Sequence, residues 1–193
     1  MAFPPDVVRV GDHTFGPNTN AHRSRLPYSF ASTSYDFMGD AWEAEISLTH
    51  TSGAASNQVL AWLAGLKGPS GTFDLKVFDY TGPASIASNP TANAAASARA
   101  QVLTVAMAAG ESFAVGEYLT VGHRLYIVTA APAAVANVQS LTLWPRLRAN
   151  VASGAAIEAL VPYARWALAN PKNTYTRNTS GARTQRLVLM EAL

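Results

Sequence analysis

The sequence predicts a mainly β chain with one short α-helix, a β-sandwich-like domain carrying an inserted small β-barrel or sandwich subdomain. Three observations lead there. Residues 42–50, WEAEISLTH, alternate strictly between apolar and polar side chains. Residues 51–66, TSGAASNQVLAWLAGL, carry a single apolar stripe at helical spacing. A second cluster of hairpin signals, 102–161, follows a tract rich in Ala, Ser and Asn.

The first third reads as β structure. VVRV (7–10) and YDFM (35–38) are short strand candidates, and GPNTNAHRSRLP (16–27) between them has the turn chemistry of a polar loop. In 42–50, Trp42, Ala44, Ile46 and Leu48 share one face, with Glu43, Glu45, Ser47 and Thr49 on the other. That period of two describes a sheet with one core face and one wet face.

In the helix, Val59, Trp62, Leu63 and Leu66 fall within about one hundred degrees of the wheel, the stripe of a helix laid on a core. Ser52 or Ser56 would cap its start. Gly65 and Gly68 suit its C-terminal end, and Pro69 forbids continuation. GPSG then reverses the chain so that TFDLKVFDY (72–80) rejoins a sheet.

Residues 83–101, PASIASNPTANAAASARAQ, read as a linker or long loop, the alternative being a short Ala-rich helix in the later half. Beyond it, GEYLTVGHRLYIV (116–128) is a hairpin turning at Gly122-His123, with glycine where a type II′ turn places it. VQSLTLWPRL (138–147) ends in a proline that limits it to a strand terminus or edge. AAIEALVPY (155–163) follows a Ser-Gly turn, and ARWALAN, NTYTRNT and TQRLVLMEAL complete the chain. In the last of these Leu187 and Leu189 share one face, and Arg186, Val188 and Met190 the other. The division expected is 1–93 plus 161–193 as one domain, with 94–160 inserted as a β subdomain.

Charge is scarce: 13% of residues are charged, against roughly 25% in a typical soluble domain. Interface cores are depleted in charge, so a surface largely covered by other subunits accounts for this, as does an Ala-rich compositional habit. The net charge of +2 is too small to argue for nucleic-acid binding. The 193 residues include no cysteine, which removes disulfides and thiolate metal sites. Neither a signal peptide nor a run of roughly 18 apolar residues is present, so a soluble protein of a reducing compartment, or of a particle assembled there, is expected.

The search for chemistry identifies no catalytic, cofactor-binding or metal-ligating residues. His13, His22, His50 and His123 lie far apart without ligand spacing. Glu43 and Glu45 share a strand face and read as its polar side rather than an acid–base pair. Asp36 and Asp40 flank Met-Gly and read as turn residues. Arg146, Arg148, Arg165, Lys172, Arg177, Arg183 and Arg186 make the C-terminal part basic, which suits a charged edge surface or contact with an acidic partner. Trp62, Trp144 and Trp166 read as core.

The order WEAEISL, a helix containing LAWLAGLKG, then GTFDL resembles the N-terminal belt of distal tail proteins of long, non-contractile-tailed bacteriophages. GEYLTVGHRLYIV followed by LTLWPRLRA resembles their inserted β domain, and the terminal MEAL their closing strand. The likeness covers roughly 40–80 and 115–193. It implies a virion structural protein without enzymatic activity or cofactor, in which 1–93 plus 161–193 form the ring-forming belt. It also implies a ring, commonly a hexamer, at the tail tip or baseplate. Such a ring joins the tail tube protein to hub and receptor-binding fibre proteins and leaves a lumen for DNA, with no specific nucleic-acid recognition and no membrane insertion. The implied location is the virion tail tip, assembled in the host cytoplasm. Two alternatives come from other classes: a carbohydrate-binding module of a phage adsorption device, and a cell-wall hydrolase.

Overall fold

The computed structural model describes residues 9–25, 32–37, 39–50, 54–172, 174, 176–177 and 183–192. Residues 7 and 8 of the first strand candidate, Met38, Ser52, and most of 173–182 lie outside the described residues, as do the side chains of His50 and Arg177.

Two antiparallel six-stranded sheets and one hairpin make up the β structure. The first sheet contains β1 (Arg9–Asn18), β4 (Ala41–His50), β5 (Thr72–Lys76), β12 (Tyr163–Leu168), β13 (Thr176–Arg177) and β14 (Arg183–Glu191). Its order is β1-β4-β14-β12-β5, with β13 also on β14. The second contains β6 (Thr91–Ala92), β7 (Val102–Ala106), β8 (Tyr118–Val121), β9 (Arg124–Ala130), β10 (Val138–Trp144) and β11 (Ile157–Glu158), in the order β11-β8-β9-β10-β7-β6. It curls until its outer strands meet. Thr91 bridges Ala156, Ala92 donates its N–H to Ala155 O and Ile157 donates to Pro90 O. Closing a sheet on itself removes its exposed edges.

Alternation in β4 is realised residue by residue: Trp42, Ala44, Ile46 and Leu48 are buried, and Glu43 and Thr49 are exposed. The helix α1 (Ala54–Leu66) buries Val59, Trp62, Leu63 and Leu66 in the same core, joined there by Phe73 and Leu75 of β5. Ser56 is not a cap. It lies inside the helix, fully buried, and accepts a hydrogen bond from Arg183 Nη1.

The abrupt stop after LAGL has a clear geometry. Lys67 (φ 52°) and Gly68 (φ 65°) both turn left-handed, and a short 3-10 turn, Gly68–Ser70, starts β5. Gly71 passes so close to the helix end that a Cβ there would lie 2.3 Å from Leu66 O. Only glycine permits that approach.

Further expectations are corrected. Residues 16–27 are not simply a loop: Gly16–Asn18 continue β1, and Ala21–Arg25 form β2, paired with β3 (Ser32–Asp36). The Gly122-His123 turn has positive φ at both positions, 58° and 68°, which is the type I′ pattern rather than II′. And β14 does not close the first sheet from outside; it runs through the middle, between β4 and β12.

The second core begins at Ile86, upstream of the boundary at 93/94 drawn from composition, and ends with Ala159. Tyr163 then re-enters the first sheet opposite Lys76. Among the described residues, no helix is long and apolar enough to cross a membrane.

Candidate functional site

The residues that hold the two sheets together form an extended aromatic and polar arrangement. Trp42 on β4 is 3% exposed and donates its indole N–H to Leu125 O on β9, at 2.9 Å. Its ring stacks on Phe15 (4.6 Å, 12°) and meets Trp144 edge-on (4.6 Å, 90°). Tyr118 lies 6.0 Å from it and Tyr80 a further 5.2 Å along. Phe15 also approaches the buried Trp166 edge-on at 6.2 Å. Aromatic side chains from β1, β4, β8, β10 and β12 thus share one cluster, and edge-to-face pairs of this kind add to simple burial.

Glu191, at the end of β14, places its carboxylate at the same joint. Its side chain is fully shielded; Oε2 accepts the Trp42 backbone N–H at 3.3 Å and lies 3.7 Å from Arg148 Nη2. Burial pushes the Glu191 carboxyl above its ordinary range, opposed by the Trp42 N–H and the Arg148 charge.

A polar seam runs along the other side. Tyr163 N–H donates to Thr120 Oγ1 (2.7 Å), whose hydroxyl donates to Tyr163 O (2.5 Å). Arg165 N–H donates to His123 O at 3.1 Å. The Arg165 guanidinium grips Asp74 through Nε (2.8 Å) and Nη2 (3.2 Å) and holds its carboxyl below the usual range. His123 Nδ1 lies 3.0 Å from Tyr163 Oη and 3.8 Å from Asp74 Oδ2. These contacts connect the β8–β9 turn to β12 and β5, so the second sheet is fixed to the first at several points.

The sequence-level candidates do not converge. His13 pairs with Asp79 at 3.2 Å and packs by Phe78, His22 is exposed on β2, and His123 sits in the seam. Among the described residues, no group of three or more His, Cys, Asp or Glu could hold a metal ion. Glu43 accepts from Asn18 Nδ2, and Glu45 is paired with Arg186. Four of the C-terminal cations are dispersed into separate pairs: Arg146 with Asp36, Arg148 with Glu191, Arg165 with Asp74 and Arg186 with Glu45. Trp62 lies in the core by Phe73, and Trp166 is buried. Trp144, half-buried, belongs to the joint.

Glu191 is not among the residues that the sequence singles out. The signal was present: Gln185, Leu187, Leu189 and Glu191 have the same parity, so a strand that buries the leucines also buries the carboxylate.

Exposed apolar side chains occur at several places among the described residues. On the outer face of the first sheet, Val188 and Met190 are 38% and 50% exposed beside Glu43 and Glu45. Every residue of strands β2 and β3 is exposed, with Tyr35 and Phe37 at the end of β3. Neither a protein-family model nor a curated protein sequence matches the chain.

Proposed function

We propose that this chain is a structural virion protein, a subunit of a ring at the distal end of a long, non-contractile phage tail, joining tube to hub and receptor-binding fibres. The observation that carries the reading is the path of the chain. Strands from both ends of the sequence interleave in one sheet, β4 with β14 and β5 with β12. The second sheet is made wholly from residues between them and keeps a core of its own. WEAEISL, LAWLAGLKG and GTFDL, which carry the resemblance to distal tail proteins, are a strand, a helix and a strand sharing one core.

A rigid joint suits a subunit that transmits force between a tube and fibres. The scarce charge and the half-exposed Val188 and Met190 suit a surface that neighbours cover. In a closed ring each subunit offers two different patches to its two neighbours. The test is immunogold electron microscopy of particles from the phage or prophage encoding the chain, with antibody against the purified protein. Label at the tail tip is expected; label confined to capsids, or none on intact tails, overturns the proposal.

Carbohydrate binding is the second reading, and the exposed Tyr35 and Phe37 favour it. Binding of the isolated protein to a glycan array, lost in Tyr35→Ala, would support this role.

A further inference from the structure

Beside the joint lies a cleft of about 190 Å³ lined by Asp40, Arg99, Pro145, Arg146, Leu147 and Arg148. We propose that it binds a singly charged oxyanion group, a carboxylate or a phosphate monoanion. This inference is independent of the tail-ring reading.

The cleft is held by backbone bonds. Arg99 N–H donates to Leu147 O (2.6 Å), Leu147 N–H to Ala100 O (2.8 Å), and Ala98 N–H to Asn150 Oδ1 (2.8 Å). These contacts bring Arg99, from the segment before β7, beside the Pro145–Arg148 stretch after β10. Arg99 adopts φ 70°, a left-handed conformation that side-chain-bearing residues enter rarely and that tends to persist at functional sites.

The electrostatics of the cleft are incomplete. Arg146 Nη2 is 3.4 Å from Asp36 Oδ2, and Arg148 Nη2 is 3.7 Å from Glu191 Oε2. Strong charge-assisted bonds are shorter, at about 2.7–2.9 Å. Arg146 Nε, Arg148 Nε and Arg148 Nη2 are shielded from solvent and have no hydrogen-bond acceptor. Buried donors are ordinarily satisfied, and a shielded cation without close compensation is costly. Burial also favours the neutral form of Glu191, which leaves Arg148 still less compensated.

An oxyanion in the cleft would bring both acceptors and charge to the three guanidinium groups, whose fork geometry matches carboxylate and phosphate oxygens. Asp40, 9% exposed in the same lining, narrows the ligand class. It repels a dianion and accepts a hydrogen bond from a protonated oxygen. A phosphate monoanion meets both conditions, whereas a carboxylate, with no proton to donate, meets only the first.

Isothermal titration calorimetry of the full chain at mildly acidic pH tests this, with inorganic phosphate and acetate in separate titrations against chloride at matched ionic strength. Saturable binding of at least one anion is expected. Binding of phosphate alone identifies a phosphoryl source, and binding of acetate as well a carboxylate source. Arg99→Gln, at an exposed position, should keep the parent circular-dichroism spectrum and weaken binding about tenfold or more. Arg146→Gln is a second such variant should the first misfold. No saturable heat with either anion, or unchanged affinity in folded variants, overturns the proposal.

Discussion

Trp42→Phe is the sharpest test of the joint. The substitution keeps an aromatic ring on β4 but removes the indole N–H that Leu125 O accepts at 2.9 Å. Leaving a buried acceptor without its donor costs about 1–3 kcal/mol. The smaller ring also leaves space between Phe15, Trp144 and Tyr118 in a site only 3% exposed, which adds to the cost. Together these give an expected loss of about 2–4 kcal/mol. That is a large share of the roughly 5–15 kcal/mol that stabilises a typical domain. Urea denaturation followed by far-ultraviolet circular dichroism measures it. A double-mutant cycle of Trp42→Ala with Trp144→Ala, which removes both rings, should return a coupling of about 0.5–1.5 kcal/mol, the worth of an aromatic pair. Because each sheet has its own core, weakening the joint should also broaden the transition or split it in two. A loss under about 0.5 kcal/mol with no coupling would refute the reasoning, since the joint would then be mere contact.

Leu63→Ala should cost about 2–5 kcal/mol in the same assay, since this helix residue is buried over the first sheet; a near-neutral result would mean that the helix is not anchored there. Gln185→Leu should raise stability by about 1–3 kcal/mol, because Gln185 is fully buried with both amide atoms unpartnered; a loss would show that the amide is satisfied in solution. Glu191 is a pH-dependent element. Its folded-state pKa is raised above the unfolded value of about 4.3, so the folded chain binds the proton more tightly. Its favourable contribution is complete below the unfolded pKa and is lost as pH rises through the folded one. Glu191→Gln should therefore gain stability relative to the parent across that window, and parallel pH profiles would refute the assignment.

How much of this was legible in the sequence depended on how local the cause was. β4 was legible because its one-sided burial imprints a period of two. Helix α1 was legible because its stripe, its end and Pro69 all agree. The hairpin at Gly122-His123 was legible in place but not in type. A leading glycine suggests II′, whereas His123 also turns left-handed, in keeping with the strand twist that I′ turns match. Of β1 only the start, within VVRV, was legible, and of the β2–β3 hairpin only the end of β3, within YDFM. AHRSR and STSYD are exposed along their whole length, so no face of either strand selects apolar residues. The joint was the least legible feature. Trp42, Leu125 and Glu191 are far apart in the chain, and nothing local distinguishes a tryptophan that fills a core from one that also donates to the opposite sheet.

The same contrast between near and distant neighbours sets an order of folding. In the second sheet, β8 and β9 are joined by a two-residue turn, and β10 follows to pair with β9. In the first, Met190 must find Glu43, and Trp166 must find Phe73. Closing a long loop costs entropy before any contact compensates, so the local pairings should form first. Once the second sheet exists, it shortens the remaining loop. It brings its two connections together where Val77 N–H donates to Pro162 O and Tyr163 pairs with Lys76, which sets β5 beside β12. β14 then enters between β12 and β4 and completes the first core. On this order Leu119→Ala, in the second core, should chiefly slow folding, whereas Leu187→Ala, on β14, should chiefly speed unfolding. Both residues are fully buried, so each substitution should change stability enough to make the ratio meaningful. Stopped-flow kinetics in urea separates the two rates. The reverse pattern would mean that the interleaved sheet nucleates folding and that the second sheet forms on it.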